Sequence, residues 1–82
     1  MTQEESTTLL TGLIAGILRV PEGEIEDSLD MESTGTWDSL SHMQLIAAIE
    51  DEFGIELTLD EIVAMRSVGQ VKDVLRLRSV AI

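Results

Sequence analysis

Residues 37–56, which read WDSLSHMQLIAAIEDEFGIE, are the stretch that decides the fold. Asp38 is a favourable N-cap residue, because its carboxylate can accept hydrogen bonds from the free amides of a first helical turn. Gly54 suits a C-terminal cap, where the backbone enters the left-handed region. Between them, apolar side chains recur at the three- and four-residue spacing of one helical face; they are Leu40, Met43, Ile46, Ala47, Ile49 and Phe53. The sequence therefore predicts a helix over residues 39–53.

The segments on either side predict three more helices, over about residues 3–19, 59–65 and 68–78. Each begins with a capping-box pattern, in which Ser or Thr is followed three residues later by Glu or Gln; the pairs are Thr2/Glu5, Thr58/Glu61 and Ser67/Gln70. Pro21 ends the first helix. The expected buried residues of the last two helices are Leu59, Ile62 and Met65, then Val71, Val74 and Leu75.

The intervening residues 21–37 lack a sustained apolar period and are rich in acids, Ser, Thr and Gly. They predict a long ordered loop with a short helical turn near residues 25–29. A loop of this length is uncommon in a compact domain unless it has a function. Four apolar residues are expected to anchor it to the core: Ile25, Leu29, Met31 and Trp37. At 82 residues, the chain is expected to form one all-α domain over residues 1–82, with three main helices and one short helix.

The charge of the chain, −11 in total, is unevenly distributed. No Lys or Arg lies between Val20 and Met65, whereas that stretch contains thirteen Asp and Glu residues. The basic residues Arg66, Lys72, Arg76 and Arg78 follow in the C-terminal quarter. Such an acidic surface repels nucleic acid and anionic membranes and attracts partners with basic docking faces. A generic solubilising surface explains the same charge equally well.

Several functional classes are disfavoured by composition. The chain has no cysteine, so it has no disulfide, thiolate nucleophile or cysteine metal site. Its only histidine, His42, has no second ligand nearby that would support a metal site. The polar, acidic first residues do not resemble a secretory signal, and the apolar run Leu13–Leu18 is too short to span a bilayer. We expect a cytoplasmic monomer that binds neither nucleic acid nor membranes and is not an enzyme.

Ser39 is the candidate functional residue. It follows the N-cap at the end of the long loop, so its hydroxyl is expected to be exposed in the first turn of a helix. The positive end of the helix dipole there favours a phosphate group. With no basic residue nearby to activate it, such a serine is better suited to being modified than to catalysis. Starting a helix is itself a common role for serine, and spacing alone leaves both interpretations open.

Residues 37–56 resemble the signature helix of the acyl carrier and phosphopantetheine-binding family, which has an Asp-Ser-Leu motif and an acidic-Phe-Gly-Ile-Glu ending at this spacing. Ser67-Val68-Gly69 resembles the start of the last helix of that family. The similarity covers about residues 35–75 in register. It implies an acyl-carrier-like four-helix bundle in which Ser39 receives 4′-phosphopantetheine from coenzyme A. Acyl or aminoacyl intermediates would then be carried as thioesters on the thiol of this arm.

The resemblance also implies partners. These are a phosphopantetheinyl transferase, an acyl-loading ligase or transferase, and downstream synthase enzymes with basic docking faces. They would dock along the helix that begins at Ser39. The residues expected to contact them are Asp38, Leu40, Met43, Glu50 and Asp51.

Four residues differ from the pattern of carriers that serve fatty acid synthesis. Those carriers usually have acids two and five residues after the modified serine, where this chain has Ser41 and Gln44. Trp37 before the motif and His42 within it are also unlike them; His42 is expected to be an exposed helix residue. These differences favour a polyketide, glycolipid, amino-acid-tethering or other specialised pathway.

Two alternatives belong to other classes. An acidic protein-interaction domain without a prosthetic group would share the composition, although an intact Ser39 argues against it. A calcium-binding helical module would also be small and acidic. Its EF-hand loop requires alternating acids, a Gly at position six and a Glu at position twelve. Glu22, Glu24 and Glu26 alternate, but the Gly and the closing Glu do not follow at the required positions.

Overall fold

The computed structural model describes all 82 residues and contains four α-helices and no strand, which confirms the all-α fold. The helices are α1 (Gln3–Leu18), α2 (Ser39–Phe53), α3 (Leu59–Ala64) and α4 (Val68–Leu77), and a 3₁₀ turn covers Glu22–Glu24. Helix α2 has the predicted bounds, and each of the other three ends one residue before its predicted end. None of these helices combines the length and the apolar character needed to cross a membrane.

Helix α2 begins and ends at the two caps that the sequence predicts. The Asp38 carboxylate accepts a hydrogen bond from the amide of Ser41, and the Asp38 amide donates in return to the Ser41 hydroxyl. Gly54 ends the helix in the left-handed conformation, with φ of 65°. An N-cap hydrogen bond of this type stabilises a helix by about 1 kcal/mol. These caps fix the start of α2 and therefore the position of Ser39.

The other capping predictions are confirmed with one exception. Thr2/Glu5 and Thr58/Glu61 form reciprocal capping boxes at the starts of α1 and α3. At α4 the Ser67 hydroxyl accepts from the Gln70 amide, but the box is not reciprocal. The Gln70 side chain accepts instead from the amide of Arg66, at 3.2 Å. The reason is local geometry: Arg66, one residue before the cap, presents its amide to this side chain.

The core is aliphatic, with one aromatic residue. Helix α1 packs against α2, and residues from Met65 onward complete the interior. Each fully buried Leu, Ile or Met side chain contributes roughly 1.5–3 kcal/mol relative to an exposed one. The buried core residues are Leu10, Ile14, Leu18, Trp37, Leu45, Ile46, Ile49, Met65, Val68, Val71, Val74, Leu75 and Ile82.

The long loop between α1 and α2 is fastened to the start of α4. The amides of Met31, Val68 and Gly69 donate across this junction to carbonyls of Arg66, Leu29 and Asp27, at 2.9–3.0 Å. A β-carbon at position 69 would lie 3.2 Å from the Asp27 carbonyl oxygen, so glycine allows this close approach. The prediction that four apolar residues anchor this loop is confirmed. All four pack into or against the core: Ile25, Leu29, Met31 and Trp37.

The predicted position of the helical turn in this loop is wrong. The turn lies at Glu22–Glu24 rather than near residues 25–29. Proline fixes φ near the helical value, and the carbonyl of Pro21 accepts from the amide of Glu24 at 2.9 Å. The turn therefore begins directly after Pro21.

The predicted apolar faces of α2 and α3 are partly wrong. Leu40, Met43 and Ala47 on α2 are exposed, as is Leu59 on α3. The buried face of α2 is rotated toward α1 and includes Leu45 and two polar residues. The full set is Ser41, His42, Leu45, Ile46 and Ile49. The rotation follows from side-chain hydrogen bonds at the start of the helix, which hold Ser41 and His42 inward.

Candidate functional site

Ser39 is the first residue of α2 and is exposed. Its hydroxyl has no hydrogen-bond partner within the chain, in contrast to Ser41 two residues later. The long loop ends directly before it, so nothing on the N-terminal side covers the side chain. The prediction of an exposed hydroxyl in the first turn of a helix is confirmed.

The residues on both sides of Ser39 are held by a tight hydrogen-bond cluster. The Ser41 amide donates to the Asp38 carboxylate and is the main cause of the lowered pKa of Asp38, with the nearby Ser41 hydroxyl a smaller cause. The Ser41 hydroxyl also lies 2.7 Å from the carbonyl of Thr36, to which it donates. Asp38 is thus ionised and fixed beside Ser39, and the loop end cannot rotate freely.

Ser41 is therefore not a surface position. Only 7% of it is exposed, because its hydroxyl is committed to Thr36 and Asp38. Ser41 stands where fatty acid carriers usually have an acid, but its own side chain is turned inward. Gln44, the second such position, is exposed.

His42 is also buried, contrary to the prediction that it is an exposed helix residue. The indole nitrogen Nε1 of Trp37 donates to His42 Nδ1 at 3.0 Å. Because an indole N–H can only donate, Nδ1 must accept, and Nε2 therefore donates to the carbonyl of Ile62 at 2.8 Å. This Trp37–His42–Ile62 bridge joins the loop end, α2 and α3 immediately behind Ser39.

The predicted partner residues fall into two groups. Asp38, Leu40 and Met43 surround Ser39, and Leu40 is 71% exposed. Asp51 is exposed too, but it and Glu50 lie near the other end of α2, about 16 Å along the helix axis from Ser39. Glu50 is half-buried, and its carboxylate accepts from the amide of Leu57 at 2.8 Å. Its side chain thus closes the loop between α2 and α3.

Sequence reasoning missed two exposed apolar residues of α3. Leu59 is 74% exposed and Val63, one turn later, is 61% exposed. Helix α3 has only six residues and contributes no fully buried side chain of its own. The spacing gave no signal of this exposure, because residues 59, 62 and 63 stand at i, i+3 and i+4 and share one helical face.

Ion pairs link the C-terminal bases to acids elsewhere in the chain. Lys72 Nζ lies 2.7 Å from Asp27 Oδ1, and Arg66 lies 3.9 Å from Glu32. Arg78 binds the Glu61 carboxylate through two nitrogens and lowers the pKa of Glu61 to about 2. Arg76 pairs with Asp73 within α4. The acids around Ser39 and at the end of α2 are in no ion pair.

The comparisons with known proteins agree with this geometry. A family model described as the phosphopantetheine attachment site matches residues 8–75, and the chain belongs to this family. The chain is similar to an acyl carrier protein of Acidothermus cellulolyticus. The two are 26% identical over 73 residues, which make up 89% of this chain and 87% of that protein.

Membership defines the class of protein. The family consists of non-catalytic carriers with covalently attached 4′-phosphopantetheine, so this chain is a carrier of the acyl carrier type and not an enzyme. Such carriers interact with biosynthetic enzymes. The residues present fit the cofactor, since an exposed serine hydroxyl without an internal partner stands at a helix start. When bound, the group supplies a flexible arm ending in a thiol, which this cysteine-free chain lacks.

Proposed function

We propose that this protein carries acyl or aminoacyl intermediates as thioesters on a 4′-phosphopantetheine arm attached to Ser39. The observation that carries the proposal is the exposed, unbonded Ser39 hydroxyl at the first residue of α2. The helix N-terminus beside it favours the negative charge of a phosphodiester. Fixed neighbours on both sides hold the attachment point, while the arm itself remains outside the packed core.

The chain does not provide a base that could activate Ser39. The only histidine, His42, uses both ring nitrogens in hydrogen bonds to Trp37 and Ile62. The Asp38 carboxylate is held by Ser41. A partner must therefore remove the hydroxyl proton as the bond from the Ser39 oxygen to phosphorus forms and the diphosphate bond of coenzyme A breaks, with adenosine 3′,5′-bisphosphate as the leaving group. This supports a separate phosphopantetheinyl transferase as the first partner.

The surface around Ser39 supports dedicated rather than general downstream partners. Leu40 and Met43 are exposed on α2, and Leu59 and Val63 are exposed on α3. Gln44 is neutral where fatty acid carriers usually have an acid. Apolar contacts contribute most of the energy of an interface, whereas charges at its rim mainly set association rate and discrimination. We infer that the loading and synthase enzymes belong to a polyketide, glycolipid or other specialised pathway. We also infer that these enzymes have fewer basic residues opposite position 44.

The two alternatives gain no support. Among the acidic side chains, no group of three or more converges in a way that could hold a metal ion, so nothing favours a calcium-binding module. An interaction domain without a prosthetic group would leave the exposed Ser39 hydroxyl without a role. Both alternatives predict that the chain is unchanged by a transferase.

Thioester carriage is tested by loading. The protein is incubated with butyryl-coenzyme A and a broad-specificity phosphopantetheinyl transferase, and its intact mass is measured before and after neutral hydroxylamine. We expect the mass to rise by one butyryl-phosphopantetheinyl group and hydroxylamine to remove only the butyryl group. A butyryl group that resists hydroxylamine, or no mass gain with an active transferase, would contradict the proposal.

A further inference from the structure

Arg19 occupies a backbone position that favours glycine. It ends α1 with φ of 58° and ψ of 43°, in the left-handed region, and its amide donates to the carbonyl of Ala15. Residues with a β-carbon are disfavoured there, and glycine is the usual choice at such a helix end. The need to end the helix therefore does not explain why an arginine stands at this position. Its presence points to a role for the exposed Arg19 side chain.

Arg19 also differs from every other base in the chain. The remaining four bases each lie within 4 Å of a carboxylate, whereas Arg19 is in no ion pair. It is the only Lys or Arg among the first 65 residues. Its guanidinium is charged at any physiological pH and has five donors that suit carboxylate or phosphate oxygens. The chain itself provides no anion for it.

A cleft of about 340 Å³ lies between the end of α1 and the start of α2, and Arg19 lines it. Ser39 itself does not line the cleft, but both of its neighbours in sequence, Asp38 and Leu40, do. The other lining groups that matter are two apolar side chains and two polar ones: Ile17, Leu40, Thr36 and Gln44. Asp38 also lines it, but the Asp38 carboxylate accepts a hydrogen bond from the Ser41 amide.

We propose that this cleft is the binding site for the arm attached to Ser39 and that Arg19 pairs there with an anionic group of the loaded arm. The inference rests on the proposed attachment at Ser39. Ile17 and Leu40 offer contact to the aliphatic part of the arm, and Thr36 and Gln44 offer hydrogen bonds to its amides. The anion is either the phosphodiester of the arm or a carboxylate of the cargo.

The test compares NMR spectra of four forms: unmodified, carrying the bare arm, and carrying butyryl or succinyl on the arm. The two acyl groups have the same number of carbons, and only succinyl has a carboxylate. Arg19→Gln removes the charge at the cleft, and Arg66→Gln is the matched control at an exposed arginine elsewhere. Intact mass is measured first, because failure of wild type to be modified would overturn the attachment and not the cleft.

If the phosphodiester is the anion, attaching the bare arm shifts the amides of Gly35, Thr36 and Gln44, and Arg19→Gln shifts the ³¹P resonance. If the cargo carboxylate is the anion, succinyl shifts these amides and butyryl does not. In either case we expect Arg19→Gln to abolish the shifts, Arg66→Gln to retain them, and 0.5 M salt to reduce them in wild type. Amide positions that are the same in all four forms, or shifts that survive in Arg19→Gln, would overturn the proposal.

Discussion

Trp37 Nε1 donates a hydrogen bond to His42 Nδ1 at 3.0 Å, and both residues are buried directly behind Ser39. The second nitrogen of His42 bonds to the Ile62 carbonyl, so the bridge connects the loop end to α3 through α2. Other contacts hold these elements as well, since α1 packs against α2 and Arg78, at the end of α4, binds Glu61 of α3. The bridge therefore helps to fix how α3 lies relative to Ser39.

Replacing His42 by leucine is expected to destabilise the fold by roughly 2–4 kcal/mol, since the Trp37 indole and the Ile62 carbonyl both lose their partner in a buried environment. Met43→Leu, at the exposed neighbouring position, should change stability by less than about 0.5 kcal/mol. Denaturant unfolding monitored by fluorescence of Trp37, the only tryptophan, measures both variants. Equal stability of the two would show that the bridge contributes nothing.

Acid stability depends on the contact between Glu61 and Arg78. The pKa of Glu61 is lowered from 4.5 to about 2 in the folded chain, chiefly by the Arg78 hydrogen bond. Because folding lowers this pKa, the ionised Glu61 carboxylate stabilises the folded state. This contribution is fully present above about pH 4.5 and is lost as the pH falls toward 2. The melting temperature of wild type should therefore exceed that of Glu61→Gln by a constant amount above pH 4.5.

Below pH 4.5 this difference should shrink progressively. Glu56→Gln removes the same charge from an exposed residue in the loop before α3 and serves as the control. The difference in melting temperature between wild type and Glu56→Gln should not shrink comparably below pH 4.5. A Glu61→Gln difference that is unchanged between pH 5 and 2.5 would contradict the role of the ion pair.

Salt should raise the melting temperature of the wild-type chain. The net charge is −11, and the acids around Ser39 and at the end of α2 lack basic partners. Screening weakens their mutual repulsion in the folded state. Magnesium should have a larger effect than sodium at equal ionic strength. A falling melting temperature would mean that screening of the four ion pairs outweighs the relief of repulsion.

Partner choice should respond to Gln44 alone. Gln44→Glu restores an acid at an exposed position of α2 and should raise the loading rate by fatty acid synthase enzymes several-fold at low salt, with the gain shrinking as salt rises. Gln70→Glu, on the exposed face of α4, adds the same charge away from Ser39 and should leave the rate unchanged. Equal rates for wild type and Gln44→Glu would remove the main support for a specialised partner.

Ser41→Asp is expected to act differently, because Ser41 is buried. A carboxylate there would lie against the Asp38 carboxylate and could not donate to the Thr36 carbonyl. Two like charges in contact, plus a lost donor, should lower the free energy of unfolding by about 1–3 kcal/mol. Denaturant unfolding of Ser41→Asp and Ser41→Ala separates the two effects. A Ser41→Asp variant as stable as wild type would contradict the inward orientation of Ser41.

Local patterns were sufficient to predict the helices and the exposure of Ser39. The caps at Asp38 and Gly54 depend only on neighbouring residues, and they correctly gave the bounds of α2. The exposure of Ser39 follows from the same local rule. Residue type likewise identified the loop anchors Leu29 and Trp37, because few other residues of that loop can enter a core.

The burial of polar residues could not be predicted in the same way. His42 is buried because its ring meets the Ile62 carbonyl, twenty residues away, and this contact exists only once α3 is in place. Ser41 turns inward to reach Thr36 in the preceding loop. These two contacts rotate α2 and leave Leu40 exposed, although its residue type suggested burial. Long-range hydrogen bonding thus decided which face of α2 points outward.

The attachment of the arm at Ser39 is tested most directly by intact mass after incubation with coenzyme A and a broad-specificity phosphopantetheinyl transferase. Three proteins are compared: wild type, Ser39→Ala, and Ser28→Ala as the control at an exposed serine of the long loop. Attachment at Ser39 predicts a gain of one phosphopantetheinyl group for wild type and for Ser28→Ala, and no gain for Ser39→Ala. A modified Ser39→Ala protein, or an unmodified wild type beside a carrier that the same transferase does modify, would contradict it.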